Sequence, residues 1–243
     1  MPGYVKPPRN GFVSGTTEMI PSLSSQVPLT IKGATSQTGN LQEWKDSSGN
    51  TLSRISSSGV VYGGGLTNVI PTSVVVGSGT SSVSANGAVT FSGATTVSLN
   101  GCFTSNYDNY RLIYEFPSSS TSSGAYLRLA INGVATFDGP TDYSWSRYYA
   151  SGTTLANNGG ATAANGVLLA GFSASTLGSV GVADIFSPGK AKATGFAING
   201  TYANLMDNGF GTHSLATSYD GLRIYPTSGN FTGTIRIYGF NNG

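Results

Sequence analysis

The chain has 243 residues, 35 of them glycine, with hydrophobic residues at 38%, charged residues at 9% and a formal net charge of +2 at pH 7. About 25% charge is usual in a soluble domain, so Ser, Thr, Asn and Gly must keep this surface wet, while the apolar content is enough to argue against disorder. Scattered basic residues exclude a nucleic-acid surface, a single cysteine (Cys102) excludes an intrachain disulfide, and no apolar run of about 18 residues offers a membrane span.

In chain order, residues 1–28 carry Pro2, Pro7, Pro8, Pro21 and Pro28 without any hydrophobic period, which predicts an extended arm. The opening MPGYVKPPRNGFV lacks the roughly 7–15-residue apolar core of a signal peptide. Residues 29–62 form a second region. It packs Glu43, Lys45, Asp46 and Arg54 into a charge-poor chain, with Leu41, Trp44, Leu52 and Ile55 as its large apolar residues. Short strands joined by glycine turns are expected there, with DSSGN closing a hairpin. The alternative is a single helical turn capped by Asn40, with Glu43 placed as in a capping box. The Gly-rich stretch 63–72 reads as a joint and domain boundary.

From residue 73 onward the period is two. Val89 and Phe91 alternate with polar residues, as do Val97 and Leu99. Further strands are expected at 109–116, 125–132, 142–150, 166–172, 180–186, 195–200, 221–226 and 233–240. Asn-Gly pairs begin at Asn86, Asn100, Asn132, Asn165, Asn199 and Asn208. This dipeptide favours tight hairpins because both residues tolerate positive φ. Short strands without intervening helical patterns predict an all-β fold, with an antiparallel, jelly-roll-like β-sandwich head over 73–243.

Two parts of the chain carry a family resemblance. LTIKGATSQTGNLQEWKDSSGNTLSRISSSGVV resembles a stem element of bacteriophage tail fibres in its Ile-Lys-Gly, Leu-Gln-x-Trp, Ser-x-Gly and Ile-x-x-x-Gly order. LNGCFTSNYDNYRLIYEF and GLRIYPTSGNFTGTIRIYGF resemble the first and last strands of the C-terminal heads of tail and minor tail proteins, and FSPGKAK fits a hairpin turn of such heads. The resemblance covers residues 29–61 and 95–240. It implies a homotrimeric protein on the outside of the virion, with an N-terminal docking end and a distal receptor-binding head. Such a protein is made in the host cytoplasm and released without a signal peptide. The arm 1–28 is then the contact with other virion proteins. The stem follows the same logic, because stretches below about 40 residues rarely hold a core alone. Three copies about an axis would bury Leu41, Trp44, Leu52 and Ile55, leaving Glu43, Lys45 and Arg54 at the rim.

Chemistry is sparse. No Gly-x-Gly-x-x-Gly phosphate loop is present. The lone His213 and lone Cys102 read as packed side chains, no zinc or other metal set is expected, and no cofactor is implied. Glycoside cleavage needs two carboxylates about 5–10 Å apart. Asp138 and Asp142 in FDGPTDY are the nearest candidates, and both are also ordinary turn formers. The stronger signal is aromatic. TDYSWSRYY holds Tyr143, Trp145, Tyr148 and Tyr149 around Arg147, and on a strand Tyr143, Trp145, Arg147 and Tyr149 share one face. That face is either the buried side of a sandwich strand or a carbohydrate surface, whose rings cover sugar C–H groups. The expected function is recognition of a host-surface saccharide by a non-enzymatic virion protein. The alternatives are a tail-borne glycan depolymerase and a purely structural capsid or decoration fibre.

Overall fold

A computed structural model of the chain describes residues 31–45, 47–49, 51–59, 61–62, 65–131, 134–135, 142–151, 154–160, 166–171, 178–202 and 205–240. The described residues are all-β, without a helix. The chain divides into two compact units, Met1–Gly63 and Gly64–Gly243. The arm 1–28, Asp138 and the side chain of Leu52 lie outside the described residues.

The first unit holds β1 (Gln42–Lys45), β2 (Thr51–Ile55) and β3 (Val61–Tyr62), antiparallel in that order. The DSSGN segment joins the first two, and Gly49 turns the chain with φ at 84°. The alternative of a capped helical turn is not what forms. Asn40 Nδ2 still donates to the Glu43 carboxylate at 2.5 Å, but Glu43 sits on a strand opposite Arg54. Lys45 adds an ion pair at 2.8 Å, and Lys45 first, then Asn40, holds the Glu43 carboxyl below its ordinary range. Trp44 lies opposite Ser53 and stays 45% exposed, while Leu41 and Ile55 are half-buried. A single three-stranded sheet offers no second layer to cover an indole.

The second unit begins with β4 (Leu66–Val69), β5 (Ser73–Val76), β6 (Thr80–Val83), β7 (Val89–Ala94), β8 (Val97–Asn100), β9 (Asn109–Ser119), β10 (Gly124–Ile131) and β11 (Val134–Ala135). It continues through β12 (Tyr143–Ser151), β13 (Thr154–Gly160), β14 (Val167–Gly171), β15 (Ser179–Phe186), β16 (Thr194–Tyr202), β17 (Leu205–His213), β18 (Gly221–Pro226) and β19 (Phe231–Phe240). Two antiparallel sheets result. The large one runs β13-β12-β17-β16-β15-β9-β19-β7-β6, with β4 also on β19. The small one runs β11-β10-β18-β8-β5, with β14 also on β10. Strand β4 lies inside the stretch expected to be a joint. Its Thr67 and Val69 are buried, and it completes the edge of β19.

The alternation that predicts strands also predicts the core. In β19, Phe231, Ile235 and Ile237 are buried while Thr232, Thr234, Arg236 and Tyr238 face out. Inward residues of both sheets merge into one core, in which Phe91 meets Phe231 edge-on at 4.7 Å. Cys102 is fully buried there, and burial drives its thiol pKa well upward. His213 is packed as expected, its ring 4.3 Å from Tyr143 and 5.2 Å from Tyr219.

Glycine makes one inter-sheet contact possible. Tyr114 on β9 lies across the paired Gly181 and Gly200, and its hydroxyl donates to the Leu169 carbonyl on β14 at 2.9 Å. A Cβ on Gly200 would stand 2.7 Å from that hydroxyl and 2.9 Å from the Val180 carbonyl oxygen. The same pressure explains the mid-strand pair Asn199-Gly200; Asn208-Gly209 is a second pair that is not a turn, although an added Cβ on Gly209 would meet nothing closer than 3.5 Å. Asn199 faces Asn208 in mid-strand, between β16 and β17.

Candidate functional site

Strand β12 lies between β13 and β17, so its two faces look in opposite directions. The inner face carries Tyr143, Trp145, Arg147 and Tyr149, the set that alternation predicts. Tyr143 is part of the core, 1% exposed, and its hydroxyl accepts a hydrogen bond from the Leu129 amide of the small sheet at 2.9 Å. Core membership removes it from any binding surface. Trp145 is half-buried, packs on the core and meets Tyr126 edge-on at 6.3 Å. Its Nε1 is buried with no hydrogen-bond partner among the described residues.

Arg147 is occupied too. It donates to Asp207 on β17 at 3.0 Å and lies 4.9 Å over the Tyr149 ring. Burial raises the Asp207 carboxyl above its ordinary range, outweighing the pull of Arg147 in the other direction. An arginine anchored this way is a structural cross-link between neighbouring strands. It does not stand ready for an acidic sugar.

The outer face is different. Cross-strand register places Gly159, Ser146, Phe210 and Ala197 in one row across β13, β12, β17 and β16. The next row is Asn157, Tyr148, Asn208 and Asn199. Ser144 and Thr212 lie beyond Phe210, their hydroxyls 2.9 Å apart. Phe210 is 62% exposed and Tyr148 50%. The two residues are diagonal cross-strand neighbours, which sets their backbone positions about 7–8 Å apart. Gly159 and Ala197 leave low ground beside Phe210, where a shallow, open depression of ≈ 510 Å³ is lined by Ser144, Ser146, Gly159, Phe210 and Thr212 among others. No Asp, Glu, Lys or Arg occupies the outward positions of β12, β13, β16 or β17 among the described residues.

Two flat rings in a field of hydroxyls and amides, free of charge, can stack on apolar C–H faces while the amides and hydroxyls exchange hydrogen bonds. Among the described residues this surface carries no carboxylate, imidazole or amine. Of the aromatic set expected from sequence, Tyr148 alone belongs to this surface. Phe210 was hidden because its strand reads as a turn at Asn208-Gly209, although Met206, Asn208, Phe210 and Thr212 do alternate outward. Of the acids considered for cleavage, Asp138 lies outside the described residues, and Asp142 is half-buried with its main-chain carbonyl accepting from the Ser214 amide at 2.9 Å. No group of three or more His, Cys, Asp or Glu side chains that could hold a metal ion occurs among the described residues. No protein-family model matches the chain, and no curated protein matches it.

Proposed function

We propose that the head binds a neutral saccharide on the outer face of β12 and β17, and that the protein is a tail-fibre or minor tail protein of a bacteriophage particle. One observation carries the binding reading: Phe210 and Tyr148 stand exposed in an uncharged field of Ser144, Ser146, Asn157, Asn208 and Thr212. The virion role is supported by the resemblance of the stem and head motifs and by the β-sandwich that carries the head motifs. In this reading the stem holds three copies through Leu41, Trp44, Leu52 and Ile55, and residues 1–28 dock to the particle. Each head binds weakly, and several heads acting together raise avidity by ~100–10,000-fold.

Binding, rather than cleavage, is the activity proposed. Hydrolysis needs a pair of carboxylates about the scissile bond, and the outer face of these strands carries none among the described residues. Titration of the full-length protein with neutral and acidic bacterial surface oligosaccharides tests the reading. Neutral oligosaccharides should bind, and Phe210→Ala should weaken them roughly tenfold, since covering one ring face is worth about 1.5 kcal/mol. A Phe210→Ala protein that binds as well as wild type, or binding confined to acidic sugars, would sink the proposal.

A further inference from the structure

The outer face of the large sheet has a second patch, separated from the Phe210 strand by β16 and different in chemistry. On the central strands β19, β9 and β15, one row reads Arg236, Ile113, Val182 and the next reads Thr234, Glu115, Val180. Ile113 and Val180 are 36% and 47% exposed, and the residues border an open depression of ≈ 310 Å³. These strands lie in the middle of the sheet, where a soluble monomer has no need of aliphatic side chains on its wet side. Glu115 and Arg236 are diagonal neighbours within this patch, yet neither forms an ion pair among the described residues. The contrast is local: Arg111, one row away, is clasped by Asp184 through two 2.7 Å hydrogen bonds.

We infer that this patch docks a second copy of the chain. One acid and one base flanking an aliphatic centre make the patch complementary to itself. In a contact closed by rotation, Glu115 of one copy meets Arg236 of the other, while Ile113, Val180 and Val182 exclude water around the pair. A saccharide would have no use for two exposed aliphatic side chains with a third half-buried beside them. A basic or acidic partner would satisfy one of the two charges and strand the other. This contact belongs to the head and is separate from the association proposed for the stem.

The test uses the full-length chain carrying Trp44→Ala, so that stem association does not mask the head, and reads sedimentation equilibrium over a concentration series. The parent should self-associate. Glu115→Arg and Arg236→Glu should each weaken association by about tenfold or more, and the double reversal, which restores the pair with its signs exchanged, should recover most of the loss. Circular dichroism checks that each exposed-site variant is folded. A parent that stays monomeric throughout, single reversals that associate as tightly as the parent, or a double reversal no tighter than the singles would each overturn the inference. None of these outcomes depends on saccharide binding.

Discussion

The Tyr114–Leu169 hydrogen bond ties the large sheet to the small one, and its environment permits a quantitative test. Tyr114 is 3% exposed, and burial drives its phenol pKa upward, so the hydroxyl stays a donor across any useful pH range. Tyr114→Phe removes a buried hydrogen bond at a cost of about 1–3 kcal/mol. For a domain of this size that lowers Tm by about 2–12 °C. Gly200→Ala attacks the same contact from the other side, because its Cβ would meet the hydroxyl at 2.7 Å. Overpacking of this kind costs about 1–3 kcal/mol. The two changes share one oxygen, so they cannot be additive. In the Tyr114→Phe background the alanine meets only the Val180 carbonyl, and the cycle should show coupling of about 0.5–3 kcal/mol. Urea unfolding of the four proteins, followed by the head's tyrosine and tryptophan fluorescence, measures it. Equal costs for Gly200→Ala in both backgrounds would refute the reasoning.

Three further outcomes are expected, the first two from the structure and the third from the proposed docking of residues 1–28. Trp145→Ala should lower the melting temperature of the head by several degrees because the indole packs on the core, whereas Tyr148→Ala should change stability by no more than about 0.5 kcal/mol; calorimetry that shows the reverse would exchange their roles. Asp207 has a raised carboxyl pKa when folded, so its contribution is fully present below the ordinary carboxyl range and is lost as pH rises through the raised value. Asp207→Asn should flatten that part of the stability–pH curve, and an unchanged slope in urea titrations at stepped pH would count against the assignment. Deleting residues 1–28 should leave a folded protein that no longer enters particles, and normal incorporation in a complementation assay would contradict the docking role.

Much of the fold was legible because alternation is a local property. β9, β10, β15, β18 and β19 all lie where Tyr, Leu, Ile and Val alternate with polar residues. β17 was not legible. Asn208-Gly209 is a strong turn signal in isolation, and Asn199-Gly200 is another, yet the two pairs lie beside each other in mid-sheet. For two glycines of this region, Gly200 and Gly211, the reason is tertiary. Gly200 clears Tyr114, and Gly211, also on β17, clears Val167 of the opposing sheet, whose Cγ1 would stand 2.9 Å from an added Cβ. Strand β13 escaped notice for a related reason, since TLANNGG has loop composition and pairs only as an edge strand of β12.

The candidate site was legible in half. Alternation correctly placed Tyr143, Trp145, Arg147 and Tyr149 on one face. Which face meets the core depends on where the small sheet packs, and the sequence of β12 does not contain that. Tyr148 was therefore singled out without its neighbours, and Phe210 was missed with its strand. The stem poses the converse problem. Its hairpin is written in local turn chemistry, but the partner that would cover Trp44 is not part of the same chain segment.

The most direct test of the central claim is a structure of the full-length protein with a bound neutral oligosaccharide. The sugar should lie flat on the Phe210 ring, with Tyr148 at its edge and its hydroxyls on Ser144, Ser146 and Asn208. A sugar held instead against Trp145 and Arg147 on the inner face, or at a site that leaves Phe210 bare, would contradict it.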